Sequence, residues 1–366
     1  MAIVKFGDIV RDVKINVDRA NNPYEHYVAG DHMDSEDLTI HRYGSFETDD
    51  VGPAFTRIFK PGQILYGSRR TYLKKVAVAD FEGICANTTF VLESKDEALF
   101  DNRLLPFIML SDAFTRWSIA HSKGSTNPYV LFSDLADYEF DLPPIAEQKV
   151  LADKLWAAYR LKESYKKLLA ATDEMVKSQF IEMFGIAEAT KPLADFIEVS
   201  FPGEWGQEDK DGSGVKVIRT TNFTNNGKLD LSEVVTRDID SAKIEKKKLF
   251  KGDIILERSG GTNDNPVGRV VYFEEDGVYL FNNFTQLLRC KEGVNSLFIF
   301  YSLFNYYQMN KNVIRSMGNK TTGIQNLKMD RYWQIPIADV SIELQKEFES
   351  IYRQADKSGF RTQQIH

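Results

Sequence analysis

The stretch DLPPIAEQKVLADKL, Asp141 to Leu155, runs from a strand-like segment through two prolines into a helix whose first turn holds Glu147. Pro144 suits a first-turn position, where its missing N–H costs nothing, and Glu147 complements the positive end of the helix dipole. No further Gly or Pro occurs before Gly185. The pattern predicts one helix of about 40 residues, a rod of roughly 60 Å at 1.5 Å per residue. A weaker copy of the same punctuation, QIPIADVSIELQKEFESI, occupies Gln334 to Ile351.

The repetition extends outward from these junctions. FKPGQILYGSR at Phe59 is answered by FKGDIILERSG at Phe250, and SKGSTNPYVLFSDL at Ser122 by SMGNKTTGIQNL at Ser316. With Gln148 against Gln345, the separations are 191, 194 and 197 residues (250 − 59, 316 − 122, 345 − 148). Three matches in one order with slowly drifting separation mark an internal duplication. Each copy reads as short β-branched or aromatic strands bounded by Gly, Asp and Asn, one apolar helix, a polar Gly-containing loop, a last strand, a proline and a helix. The apolar helix is expected over Leu104 to Trp117 in the first copy and is matched by the segment from Ser296 in the second.

The fold expected is α/β (mixed α+β), with two repeated globular domains separated by long helices forming an antiparallel coiled coil. The boundaries expected are 1–143, 144–185, 186–340 and 341–366. On the central helix, Leu155, Ala158, Leu161, Tyr165, Leu168, Thr172 and Met175 follow a three-to-four spacing that seeks a partner helix. Leu344, Phe348, Ile351, Tyr352 and Ala355 are its expected counterparts.

Composition narrows the class. Of 366 residues, 43% are hydrophobic and 27% charged, the balance of a globular protein. No apolar run approaches the roughly 20 residues of a membrane span, and a cytoplasmic protein is expected. Cys85 and Cys290 are the only cysteines, too few for a disulfide framework or a zinc site of thiolates. The net charge of −7 argues against a general polyanion binder. Yet Arg57 to Lys75 holds six basic residues and no acid, and Lys311 to Lys328 four and none, which predicts defined basic faces.

Together the duplication, LPPIAEQ at Leu142 with its long helix, the echo IPIADVSIELQ at Ile335, and KGDIILERSGGT at Lys251 resemble the specificity subunits of Type I restriction-modification systems. The resemblance implies a chain without catalysis of its own. It implies that each repeat reads one half of a bipartite, asymmetric site in double-stranded DNA. It further implies that the helices set the spacing and bind two modification (methyltransferase) subunits, which restriction/translocase subunits join. S-adenosylmethionine, ATP and Mg are then expected on the partners, and no cofactor on this chain.

With that resemblance, the DNA-contact candidates are Arg69, Arg70 and Lys74 after the first GQILYG strand, and Arg258, Thr262 and Asn263 in the matching loop. Arginine forks and amides suit guanine and adenine edges or phosphates. Arg219, Thr220 and Asn222 match Asp31 and His32 by position. The polar loops Lys123, Ser125, Thr126, Asn127 and Asn319, Lys320, Thr321 suit phosphate contacts.

Other chemistries fit less well. Asn127-Pro128-Tyr129 resembles an amino-methyltransferase motif but lacks its second proline and an upstream glycine-rich loop. Asp253 with Glu257 resembles a nuclease acid pair, but the first copy has Gln63 and Gly67 there; strand-end roles are expected. His26, His32 and His41 show no metal-ligand spacing. Phe300, Tyr301, Phe304, Tyr306 and Tyr307 read as core rather than as base-stacking residues. A duplicated protein-interaction scaffold without DNA is the alternative reading.

Overall fold

The computed structural model describes residues 2–18, 21–187, 189–262, 264–321 and 324–363, with the side chains of 320, 321 and 357–363 excepted. The chain forms two compact units, Met1–Ser164 and Tyr165–His366. The division falls inside the single 40-residue helix Ile145–Phe184, so each unit owns one end of it.

The first strand of each repeat pairs antiparallel with the strand that leads into its closing helix. Ala2–Lys5 pairs with Glu139–Leu142, and Thr190–Pro192 with Pro336–Ala338. The central sheets correspond strand for strand. In the first unit the order is Val10–Asp12, Thr89–Ser94, Ile64–Gly67, Val76–Val78. In the second it is Ile197–Val199, Thr285–Cys290, Ile254–Glu257, Val270–Tyr272. The turn entering the third strand needs a left-handed residue in both units, supplied by Gly62 (φ 85°) and Gly252 (φ 94°). Pro61 is therefore a one-residue insertion relative to the second copy, which shortens the separation from 191 at Phe59 to 190 at Gly62 (252 − 62), so the later rise to 194 and 197 comes from residues added further along the second copy.

The second sheets diverge. The strand His26–Val28 runs parallel to Gly83–Ala86, as Val215–Ile218 does to Tyr279–Phe281. The first unit adds Phe55–Phe59 beyond Gly83–Ala86 and only the two-residue strand Gly44–Ser45 beyond His26–Val28, whereas the second adds Val235–Asp238 and Gln207–Glu208 beyond Val215–Ile218 and nothing beyond Tyr279–Phe281 among the described residues. The common sheet carries buried aliphatics on both faces, including Ile64, Leu65, Leu92, Ile254, Ile255 and Leu288, all at 0–1% exposure.

The apolar helix of the first copy is broken in two, Leu105–Leu110 and Asp112–Ala120. Ser111 takes an extended conformation (ψ 149°) and its side chain accepts from the Phe114 N–H, an N-cap that starts a new helix. In the second copy Ser296–Met309 is continuous and is followed by Lys311–Met317.

The expected helix pairing forms within the second unit, but on a neighbouring stripe. Phe180 and Phe184 pack on Phe348 (ring centroids 5.0 and 5.9 Å), and Val176, Tyr352 and Ala355 join the same core. Phe184 lies by the start of the distal helix Ile342–Gln363 and Val176 further along it, so this contact is antiparallel. Leu344 and Phe348 serve as expected and Ile351 is half-buried, whereas Met175, Leu168 and Leu161 are 49–54% exposed and Ala158 is exposed. Tyr165 is half-buried. Leu155 packs on the first unit's core. The aromatic rings at 180 and 184 bury more apolar area than the Leu and Met stripe beside them, and they set the rotation of the helix.

Candidate nucleic-acid interface

The same small ladder is built in each unit from three segments distant in sequence. In the first, Arg69 bridges Tyr129, Tyr129 exchanges both backbone bonds with Lys123 (2.7 and 2.9 Å), and Arg70 N–H donates to Pro128 (2.7 Å). Val130 N–H closes it onto the Ser68 carbonyl at 3.0 Å. In the second, Ser259–Gly260 pairs with Ile324–Leu327, which pairs with Gly318–Thr321. Leu327 N–H donates to the Arg258 carbonyl at 2.8 Å. Ser68 thus corresponds to Arg258, Arg69 to Ser259 and Arg70 to Gly260. The loop after the GQILYG strand and the polar loop before each junction proline, separate candidates in sequence, form one surface.

On the first ladder most of the basic stretch is already engaged. Arg57 is 9% exposed and paired with Asp12 at 2.9 Å, and Lys60 faces Glu82 at 3.9 Å. Lys75 donates to the Gly30 carbonyl. Lys74, expected to contact DNA, sits between Glu36 (2.9 Å) and Asp112 (3.1 Å), which raise its pKa. Both partners are remote in sequence, and they offset its charge. Lys123 pairs with Asp134 at 3.0 Å and holds that carboxyl below its ordinary range. Arg69 and Arg70 remain exposed, with no side-chain ion pair or hydrogen bond among the described residues. Ser125, Thr126 and Asn127 are exposed beside them, as is Tyr129 at 39%.

Arg70 is left-handed (φ 51°), as is Lys74 (φ 47°), bracketing the turn Thr71–Leu73. A bulky residue there costs about 1 kcal/mol. At the corresponding position the second unit has Gly260 (φ 115°), which adopts it freely.

In the second unit Arg258 is half-buried with no side-chain partner among the described residues, and Asn319 is exposed. Thr262 is exposed, its hydroxyl accepting from Asn265 N–H in a local turn at 3.0 Å. Asn263 lies outside the described residues, as do the side chains of Lys320 and Thr321. Asn222 departs from expectation. It is 4% exposed, accepts from Arg219 N–H (2.9 Å) and donates to the Asp230 carbonyl (2.9 Å), so its amide is committed to building the turn. Thr220 presents its carbonyl to Arg269 at 3.4 Å, while Arg219 keeps a buried Nε without a hydrogen-bond partner among the described residues.

The acid pair is structural. Asp253 (2% exposed) holds Arg289 at 2.6 Å, and Glu257 (1%) holds Arg269 at 2.7 Å. Buried and paired, neither carboxylate offers an open metal position.

Two diverged copies of one α/β unit, each ending in a helix and each presenting a polar ladder, define a duplicated recognition protein. The family described as Type I restriction modification DNA specificity domain matches residues 24–171 and 189–360, one match per repeat. The chain belongs to that family. The Type I restriction enzyme EcoDI specificity subunit of Escherichia coli is 26% identical over 188 residues. That match covers 50% of this chain and 40% of the relative, so less than half of the relative's length is aligned. The Type-I restriction-modification system S subunit from M. genitalium shares the fold, with 13% identity, TM-score 0.55, and coverage of 100% of this chain and 91% of that one. So does a chain from a structure described as the basis of complex assembly and conformational transition of the type I R-M system (16% identity, TM-score 0.50, coverage 100% and 95%).

Proposed function

We propose that this chain is the sequence-specificity subunit of a Type I restriction-modification complex, non-catalytic itself, with each unit reading one half of a bipartite DNA site. The observation that carries this is the ladder built twice, with different side chains at corresponding positions. Arg69 and Arg70 supply forked donors suited to guanine O6 and N7 or to phosphates, while Ser125, Thr126 and Asn127 supply hydroxyl and amide contacts that position the backbone. In the second unit Arg258, one position before the equivalent of Arg69, and Thr262 and Asn319 on the same loops supply the donors, and the unsatisfied Arg219 Nε is a donor that a ligand would complete. Because the corresponding residues differ, the two half-sites differ and the target is asymmetric.

Methyl transfer and ATP-driven cleavage fall to partners: two modification subunits bound through the helices, with restriction/translocase subunits added, carrying S-adenosylmethionine, ATP and Mg. The helical segments set the length of the unread spacer. A cytoplasmic location follows from this role, and no described helix is long and apolar enough to cross a membrane.

The test is selection of duplex DNA from a random pool by the chain co-expressed with its modification partner, at near-physiological salt. Two different short motifs at fixed spacing are expected, with affinity falling linearly in log salt. A pool that stays random, or binding indifferent to salt, would overturn the reading in favour of a protein-interaction scaffold.

A further inference from the structure

Asp37, His41 and Glu163 bring three ligand atoms within 4.8 Å of one another in the first unit. The sequence hid this grouping. Asp37 and His41 lie in the segment after the strand His26–Val28, and Glu163 arrives on the long helix more than a hundred residues later. We propose that these three side chains form a binding site for a divalent first-row transition ion of the zinc type, joining that segment to the helix.

The geometry is built rather than incidental. Asp37 is 8% exposed and its Oδ1 accepts from the Tyr159 hydroxyl at 2.7 Å and from Thr39 N–H at 3.0 Å. Its Oδ2 stands 3.3 Å from His41 Nε2. Two ligands on a tetrahedral ion with bonds of about 2.0 Å stand about 3.3 Å apart. Tyr159 is one helical turn before Glu163, so the residue that orients the first carboxylate lies on the same helix face as the second. A metal-binding carboxylate held by an outer hydrogen bond is the usual supporting arrangement. One imidazole and two carboxylates favour zinc, manganese or cobalt over magnesium, which prefers oxygen alone. The imidazole is 43% exposed, giving an ion and its completing water a path in.

The untagged full chain, stripped with chelator, is titrated with Co²⁺ while visible d–d absorption is followed, and Zn²⁺ is then added in competition. One equivalent of Co²⁺ is expected to bind and to be displaced by Zn²⁺. His41→Ala and Glu163→Gln are each expected to weaken binding at least about ten-fold, whereas His32→Ala in the same segment leaves it unchanged. Circular dichroism checks that each variant remains folded. No saturable absorption, equal binding by His41→Ala and the parent, or loss in His32→Ala would overturn the site and leave His41 as an ordinary ion-pair partner of Asp37.

Discussion

Gln148 accepts a hydrogen bond from the backbone N–H of Asp101 at 3.0 Å, with its amide donating to the carbonyls of Leu99 (3.0 Å) and Pro143 (2.8 Å). In the second unit Gln345 accepts from Asn295 N–H at 3.0 Å and donates to the Val340 carbonyl at 3.1 Å. Asp101 and Asn295 are themselves helix N-caps. The glutamine that recurs after each junction proline is thus a clip fastening the start of one helix to the cap of another. Being 1% and 4% exposed, neither can trade these bonds for water.

Gln148→Leu strands the buried Asp101 N–H and takes a partner from the Leu99 and Pro143 carbonyls, and is expected to cost about 1–3 kcal/mol in the unfolding of the first unit. Gln345→Leu should cost less, since it strands two. Urea denaturation of each variant measures both, and equal or negligible losses would contradict the clip.

Arg289→Met is expected to destabilise the second unit by about 3–5 kcal/mol, because it strands the buried Asp253 carboxylate. The first unit shows another solution at the corresponding positions, where Gln63 donates to Glu93 at 2.6 Å. The same denaturation experiment reads the effect.

Arg70→Gly relieves the left-handed turn and is expected to raise stability by about 0.5–1 kcal/mol while weakening DNA binding by about ten-fold or more. Lys74→Ala, which removes a lysine held by two carboxylates, should change DNA affinity less than about two-fold. Thermal unfolding and DNA titration of the partnered complex separate the two effects.

The Arg103 guanidinium bonds Asp101 and holds its carboxyl below the ordinary carboxylate range. A depressed folded pKa gives stability that is complete above the unfolded value and is lost as pH falls through the folded one. Stability of the first unit should therefore decline below about pH 4. Asp101→Asn should flatten that part of the profile, measured as melting temperature against pH.

Burial pushes the thiols of Cys85 and Cys290 up to about 12. At pH 8 a thiolate-specific disulfide reagent should label neither at an appreciable rate in the native chain, and both once it is unfolded.

The duplication and the helix from Pro144 were legible because both rest on local signals: a proline, an acid in the first turn, and no breaker before Gly185. The break at Ser111 was also written locally, yet the surrounding apolar run masked its capping role. The pairing stripe was misread because Met175 and Val176 are equally apolar on paper, and only packing against Phe298 and Phe348 chooses 176, 180 and 184. At the candidate interface, sequence named loops that the fold brings together, but could not tell the unpaired Arg70 from the paired Lys74. The difference is made by Glu36 and Asp112, brought from elsewhere in the chain. His41 stayed hidden for the same reason, since its companion Glu163 is adjacent only after folding.

The first strand of each repeat lies hydrogen-bonded against its last, as Ile3 lies opposite Asp141 and Lys191 opposite Ile337. Entry and exit of each repeat are therefore neighbours, the arrangement in which insertion or exchange of a domain is tolerated. A diverged cousin could replace one repeat by crossing over within the exposed middle of the central helix, between Tyr159 of the first core and Val176 of the second. New pairings of halves are thus accessible to evolution in single genetic steps, without the whole chain having to be solved again.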